Sequence, residues 1–197
     1  VPRARLLRRR RARAVSIGMT AGLLSRERTI LVVVDVQEAF RKAVVGFEEV
    51  ARNTAVLVRG AQAIGVPILV TEQYPRGLGD TVAEVTAVLG GHPRLPKTAF
   101  SAARADGFDL GGRDQALVCG VEAHVCVAQT VIDLVGAGVE VQVAGDATAS
   151  RSTADRDTGL HRMERAGATL TGVEAALFEL LGEAGTPEFK AVQELIK

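Results

Sequence analysis

The stretch TILVVVD, residues 29–35, constrains the fold of this chain more than any other. Ile30 through Val34 are apolar without a break and mostly β-branched, and the run ends on an acid. A strand with no polar face has to be covered on both sides, which is the situation of a central strand in a parallel sheet flanked by helices. The residues that follow supply the other half of such a unit. Val50, Thr54, Leu57, Ala61 and Ile64 form one face of a helix, and Gly65 followed by Pro67 ends it. VPILVTE then reads as a second strand.

The alternation continues to the end of the chain. HPRLPK, QALVCGV, VEVQVAGD and GATLTGV read as further strands, with helical stretches near residues 80–89, 125–137, 153–166 and 173–183. Strands alternating with helices build right-handed βαβ units. The expected fold is therefore α/β, a mostly parallel sheet of about six strands covered by helices on both faces. A length of 197 residues with 47% hydrophobic and 24% charged residues fits one such globular domain. No repeat, linker or low-complexity stretch interrupts it after residue 20.

Residues 1–18 stand apart: they hold seven Arg and no acid, and removing those charges from the net +1 leaves −6 for the rest. The basicity is local and does not describe the fold. Paired arginines hint at an export signal, but AVSIGMTAGLL is short, weakly apolar and soon interrupted by SRER. The segment is expected to be an extension outside the fold, with Met19 opening a single domain over 19–197 and no nucleic-acid partner. No run approaches the ~18 apolar residues of a membrane span. Two cysteines make no disulfide framework, and a reducing cytoplasm is the expected compartment.

In open parallel sheets ligands bind at the carboxyl ends of the strands, near the point where strand order reverses. At those ends this sequence puts Asp35, Lys97 and the turn from Gly120 to Cys126. Cys126 falls where a strand has ended and a helix begins, and amides at a helix N-terminus favour a thiolate. Cys119 lies inside an apolar strand and reads as packing. Asp35 ends its strand at the rim, where a carboxylate leaving water needs a cation, and Lys97 is the candidate. Only four of the 24 basic residues are lysine, so a Lys at that place stands out.

Three separated segments, VVVDVQEAF, PKTAFSA and CGVEAHVCVAQTVIDLVGAGVEVQVAGDATASRS, resemble the isochorismatase-like cysteine hydrolases from about Thr29 to the C-terminus. TEQYPRGLGDTVAEV is similar to the branch called isochorismatase domain-containing proteins. The resemblance implies a three-layer α/β/α sandwich around a six-stranded, Rossmann-like sheet, with Asp35, Lys97 and Cys126 as a catalytic triad. It also implies a cis peptide between Val121 and Glu122, and an oxyanion hole formed by the backbone N–H groups of Glu122 and Cys126. Relatives often assemble as dimers or rings, so a homo-oligomer is expected.

The substrate is the less legible part. Nicotinamidases carry an Asp-x-His metal pattern after the second strand, whereas this chain reads TEQYPRG there. His92, His124 and His161 lack ligand spacing, so neither a metal nor a cofactor is expected. His124 is either a Cys–His partner of Cys126 or a surface or pocket-wall residue. Phe40, Tyr74 and Phe100 fall just past the rim and are candidate walls for a small planar substrate, and Gln37 either orients substrate or caps its loop. A cysteine nucleophile favours C–N bond hydrolysis through a thioester. Vinyl ether hydrolysis and a scaffold that retains the triad are the alternatives.

Overall fold

A computed structural model describes residues 22–197. The basic extension and the domain start expected at Met19 lie outside the described residues. Six strands form one sheet: β1 (Thr29–Val34), β2 (Ile68–Gln73), β3 (Arg94–Lys97), β4 (Gln115–Val121), β5 (Glu140–Ala149) and β6 (Thr169–Thr171). Their order is β3-β2-β1-β4-β5-β6, and every pairing between neighbours is parallel.

The central pair explains why TILVVVD carries no polar face. Every residue of β1 and of β4 is buried. Successive side chains leave opposite faces, as the strand period requires. Leu31, Val33, Leu117, Cys119 and Val121 join one core, beneath α1 (Phe47–Ile64), α6 (Val173–Leu181) and α7 (Pro187–Leu195). Ile30, Val32, Val34, Ala116 and Val118 join the other, beneath α4 (Ala128–Gly136) and α5 (Thr153–Ala166). Helices α2 (Pro75–Leu78) and α3 (Ala83–Leu89) lie between β2 and β3. The result is the three-layer sandwich expected from the sequence, and α1 ends at Gly65 with φ 80 as its C-terminal signal requires.

Three differences matter. β5 runs on to Ala149 instead of stopping at Asp146, with a register shift opposite Val118 to Gly120. The start of the helix carrying Cys126 is a separate π turn, Ala123–Val127. Helix α7 was not anticipated, although Thr186 caps it by accepting the Phe189 N–H at 3.1 Å and Pro187 occupies its first turn.

The chain steps outward from β1 to β3, then returns to place β4 on the other side of β1. That reversal leaves a crevice at the carboxyl ends of β1 and β4. Gly120 lets the two strands approach there: it pairs with Val34 at φ 122, and a Cβ added to it would overlap the Val34 carbonyl. Gly120→Ala is expected to cost more than about 3 kcal/mol, since it joins a backbone clash to a strained φ in the core. Denaturant unfolding of the purified variant checks it; a midpoint like that of the parent would contradict the close approach.

Candidate active site

The site begins with a buried ion pair. Asp35 follows β1 in the left-handed region, φ 55, with its N–H donating to the Thr71 carbonyl at 3.2 Å. Its Oδ1 accepts from the Thr71 hydroxyl at 2.7 Å, and its Oδ2 lies 2.7 Å from Lys97 Nζ. Lys97 closes β3, two strands from Asp35, and spans the end of β2 to reach it. Neither side chain has any exposure. The ammonium also donates to Gln73 Oε1 at 2.6 Å and to the carbonyls of Phe100 and Ala99 at 3.0 and 3.2 Å. Burial pushes the Asp35 carboxyl up, opposed by the Lys97 charge and by hydrogen bonds from Lys97, Thr71 and Cys126.

Cys126 sits on the π turn, held by the Val125 and Val127 N–H groups donating to the Glu122 carbonyl. Thr130 donates to the Cys126 carbonyl at 2.7 Å and accepts the Ala102 N–H at 2.8 Å. Gly159 lets α5 press against the other side, since a Cβ there would come within 2.7 Å of the Ala123 carbonyl. The thiol is 5% exposed and lies 4.0 Å from Gln73 Oε1.

Its ionisation corrects the reading from the helix start. Burial, then the Asp35 charge, push the Cys126 thiol up to about 12, with Lys97 opposing them. The amides of one turn are opposed by desolvation and by the neighbouring carboxylate, both of which favour the neutral thiol. Cys119 is also pushed up to about 12, chiefly by burial, and its nearest polar partner is Thr54 at 4.0 Å on the opposite face of the sheet. It is packing, as its strand position indicated.

Cys126 opens into a cavity of about 370 Å³, walled by Phe40, Leu78, Phe100 and Val125 and bordered by Gln73, Glu122 and Arg151. Phe40 and Phe100 thus share one cavity with the thiol. Tyr74, at φ 38, lines a neighbouring cavity of about 530 Å³ together with Pro75, Arg76, Lys97 and Asp106. Gln37 does not reach the thiol cavity either. It is fully buried, its Nε2 donating to the Gln73 and Gly79 carbonyls and its Oε1 accepting the Gln73 N–H at 2.7 Å. Gln37 therefore clamps the end of β2 to the segment bearing Leu78. His124 forms no Cys–His pair; its Nδ1 is 3.0 Å from Ser150 Oγ.

Gln73, Arg151 and the Glu122 carboxylate were missed. Gln73 ends β2 at the same rim and was open to the same rule. Arg151 is reached only because β5 extends past Asp146, and its Nε donates to Glu122 Oε2 at 2.8 Å. The Val121–Glu122 peptide is cis, and no hydrogen bond from the Glu122 N–H is found among the described residues. Among the described residues no group of three or more His, Cys, Asp or Glu is arranged to hold a metal. No helix among them is long and apolar enough to cross a membrane.

The model of the isochorismatase domain matches residues 29–175, a span that contains Asp35, Lys97, Cys126 and the cavity residues. The chain belongs to the isochorismatase family. Isochorismatase domain-containing protein 2 of Macaca fascicularis is 42% identical over 172 residues, 86% of this chain and 83% of the relative. Isochorismatase domain-containing protein 1 of Danio rerio is 39% identical over 90% of this chain, which spans only 64% of that relative's length. Among solved structures, MAR1 ribonuclease of Caenorhabditis elegans superposes with a TM-score of 0.85 at 39% identity, covering 89% of this chain and 92% of that one.

Two outcomes follow from the buried groups. Lys97→Met leaves Asp35 without its cation and is expected to cost about 3–5 kcal/mol, measured by denaturant unfolding. Both thiols have folded pKa values above the ~8.5 of a free thiol, so the unfolded chain ionises first as pH rises. Their contribution to stability is complete below about pH 8.5 and is lost as pH rises toward 12. Alkylation of Cys126, followed by peptide mass spectrometry, should therefore accelerate steadily from pH 7 to 10. A plateau below pH 9 would contradict the neutral thiol.

Proposed function

We propose that this protein hydrolyses a C–N bond, amide or ureido, in a small molecule through a thioester on Cys126. One observation carries the reading: a fully buried Asp35–Lys97 pair meets a thiol that lines a cavity. Packing alone gives no reason for that pair, because apolar residues of similar volume hold a core as well as a buried ion pair does. The carboxylate beside a neutral thiol is, in contrast, what a general base requires.

In the first step Cys126 Sγ attacks the carbonyl carbon as Asp35 takes the thiol proton. Lys97 offsets the negative charge of Asp35 and of the departing thiolate. The tetrahedral oxyanion is received by the backbone N–H groups of Glu122 and Cys126. As it collapses, the C–N bond breaks and Asp35 returns its proton to the leaving nitrogen. Water then attacks the thioester with Asp35 as base, the acid departs, and Cys126 regains its proton. No step uses a metal or a cofactor.

A vinyl ether has no acyl carbon for the thiol to attack, which favours C–N cleavage. The C. elegans relative is described as a ribonuclease. A phosphodiester chain calls for unpaired cations, and here Lys97 and Arg151 are each engaged by a carboxylate, so RNA cleavage has less support. Two free, buried cysteines support a reducing, cytoplasmic setting. Phe100 and Tyr74, each 55% exposed beside the cavities, support a homo-oligomer in which a neighbour covers them; light scattering tests this.

Ammonia release from a panel of small amides and ureides, after dialysis against EDTA, is the direct assay. Cys126→Ala is expected to lower turnover by about 1,000-fold or more, with normal unfolding. Asp35→Asn separates ionisation from catalysis: it removes a charge that raises the thiol pKa, so alkylation at pH 8 should quicken while turnover collapses. Full turnover by Cys126→Ala would overturn the proposal.

A further inference from the structure

The cavity above Cys126 contains a second ion pair, between Glu122 and Arg151, that the proposed chemistry does not use. Glu122 is 7% exposed, and its Oε2 accepts the Arg151 backbone N–H at 3.2 Å and the Arg151 Nε–H at 2.8 Å. Its other oxygen, Oε1, has no hydrogen-bond partner among the described residues, nor do the two terminal guanidinium nitrogens of Arg151. Both residues border the thiol cavity, and the remaining walls are mostly apolar, formed by Phe40, Leu78, Phe100 and Val125.

The pair therefore offers a bound molecule one free acceptor oxygen and two donor nitrogens with no net charge. An amide or ureide group matches both, with its N–H donating to Glu122 Oε1 and its C=O accepting from Arg151. A carboxylate matches only the arginine. It has no hydrogen to give Glu122, and it brings a second negative charge against a largely buried carboxylate.

We propose that the Glu122–Arg151 pair selects substrate, admitting a neutral molecule whose far end carries an amide-like N–H and C=O and rejecting one whose far end is a carboxylate. This rests on the hydrolase reading of the same cavity, yet it concerns recognition and can be tested apart from turnover.

Benzene-1,3-dicarboxamide and 3-carbamoylbenzoate have one shape, differ in the far group, and present a planar ring to Phe40 and Phe100. Their dissociation constants are measured by calorimetry on the full chain and on Cys126→Ala, which binds without turning over. The diamide is expected to bind about 100-fold more tightly than the amide-acid. Glu122→Gln, which keeps the shape and removes the charge, should narrow that ratio to about tenfold or less by strengthening the acid. Arg151→Lys, which keeps a charge beside Glu122 but not the planar pair of terminal nitrogens, should weaken the diamide while the fold is retained. Binding of the acid as tightly as the diamide, binding of neither, or a ratio unmoved by Glu122→Gln overturns the proposal. Selective binding of the diamide without ammonia release keeps the recognition and rejects the hydrolase reading instead.

Discussion

Asp35 and Lys97 face each other at 2.7 Å with no exposure of either side chain, and the site depends on that contact. Taking both charges out of water is costly, so each must be held by more than its partner. The Thr71 hydroxyl fixes one carboxylate oxygen, while Gln73 and two backbone carbonyls surround the ammonium. These partners come from β2 and from the turn after β3, so the sheet order is a condition for the pair. Asp35 and Lys97 lie on strands separated by β2, and only the rim of a parallel sheet brings such residues to one level.

That pair also defines how the thiol works. Cys126 in isolation, at the start of a helix, would tend toward a thiolate; beside a carboxylate and out of water it stays protonated. In the proposed reaction such a nucleophile is released only as its proton moves to Asp35, when an electrophile is in place, and Lys97 moderates the change because the total charge of the three groups is constant through the transfer. The second pair, Glu122 with Arg151, keeps the outer part of the cavity neutral as well.

Much of this was legible because the governing signals are local or periodic. β4 appears in the sequence over the residues it occupies, QALVCGV, because a strand buried on both faces leaves an unbroken apolar run. Asp35, Lys97 and Cys126 were found by applying one rule about strand ends and then by resemblance. The errors have equally particular causes. The strand reading VEVQVAGD stopped at Asp146, whereas β5 continues through a register shift to Ala149, and Arg151 just beyond it was missed as a result. Tyr74 lines the neighbouring cavity, with Lys97, instead of the one holding Cys126, a distinction the position of a residue past a strand end does not reveal. The upward push on the Cys126 thiol was not legible, because a helix start is visible in sequence while the depth of burial and the distance to a carboxylate are not.

The division of the two cysteines between the cores has a consequence for oxidation. Cys119 faces the α1 layer and Cys126 the α4 layer, with the sheet between them. A sulfenic acid formed on Cys126 thus has no thiol of its own chain to condense with, and its rescue falls to a small thiol that can enter the cavity. The width of that opening then governs recovery from oxidation as well as access for substrate.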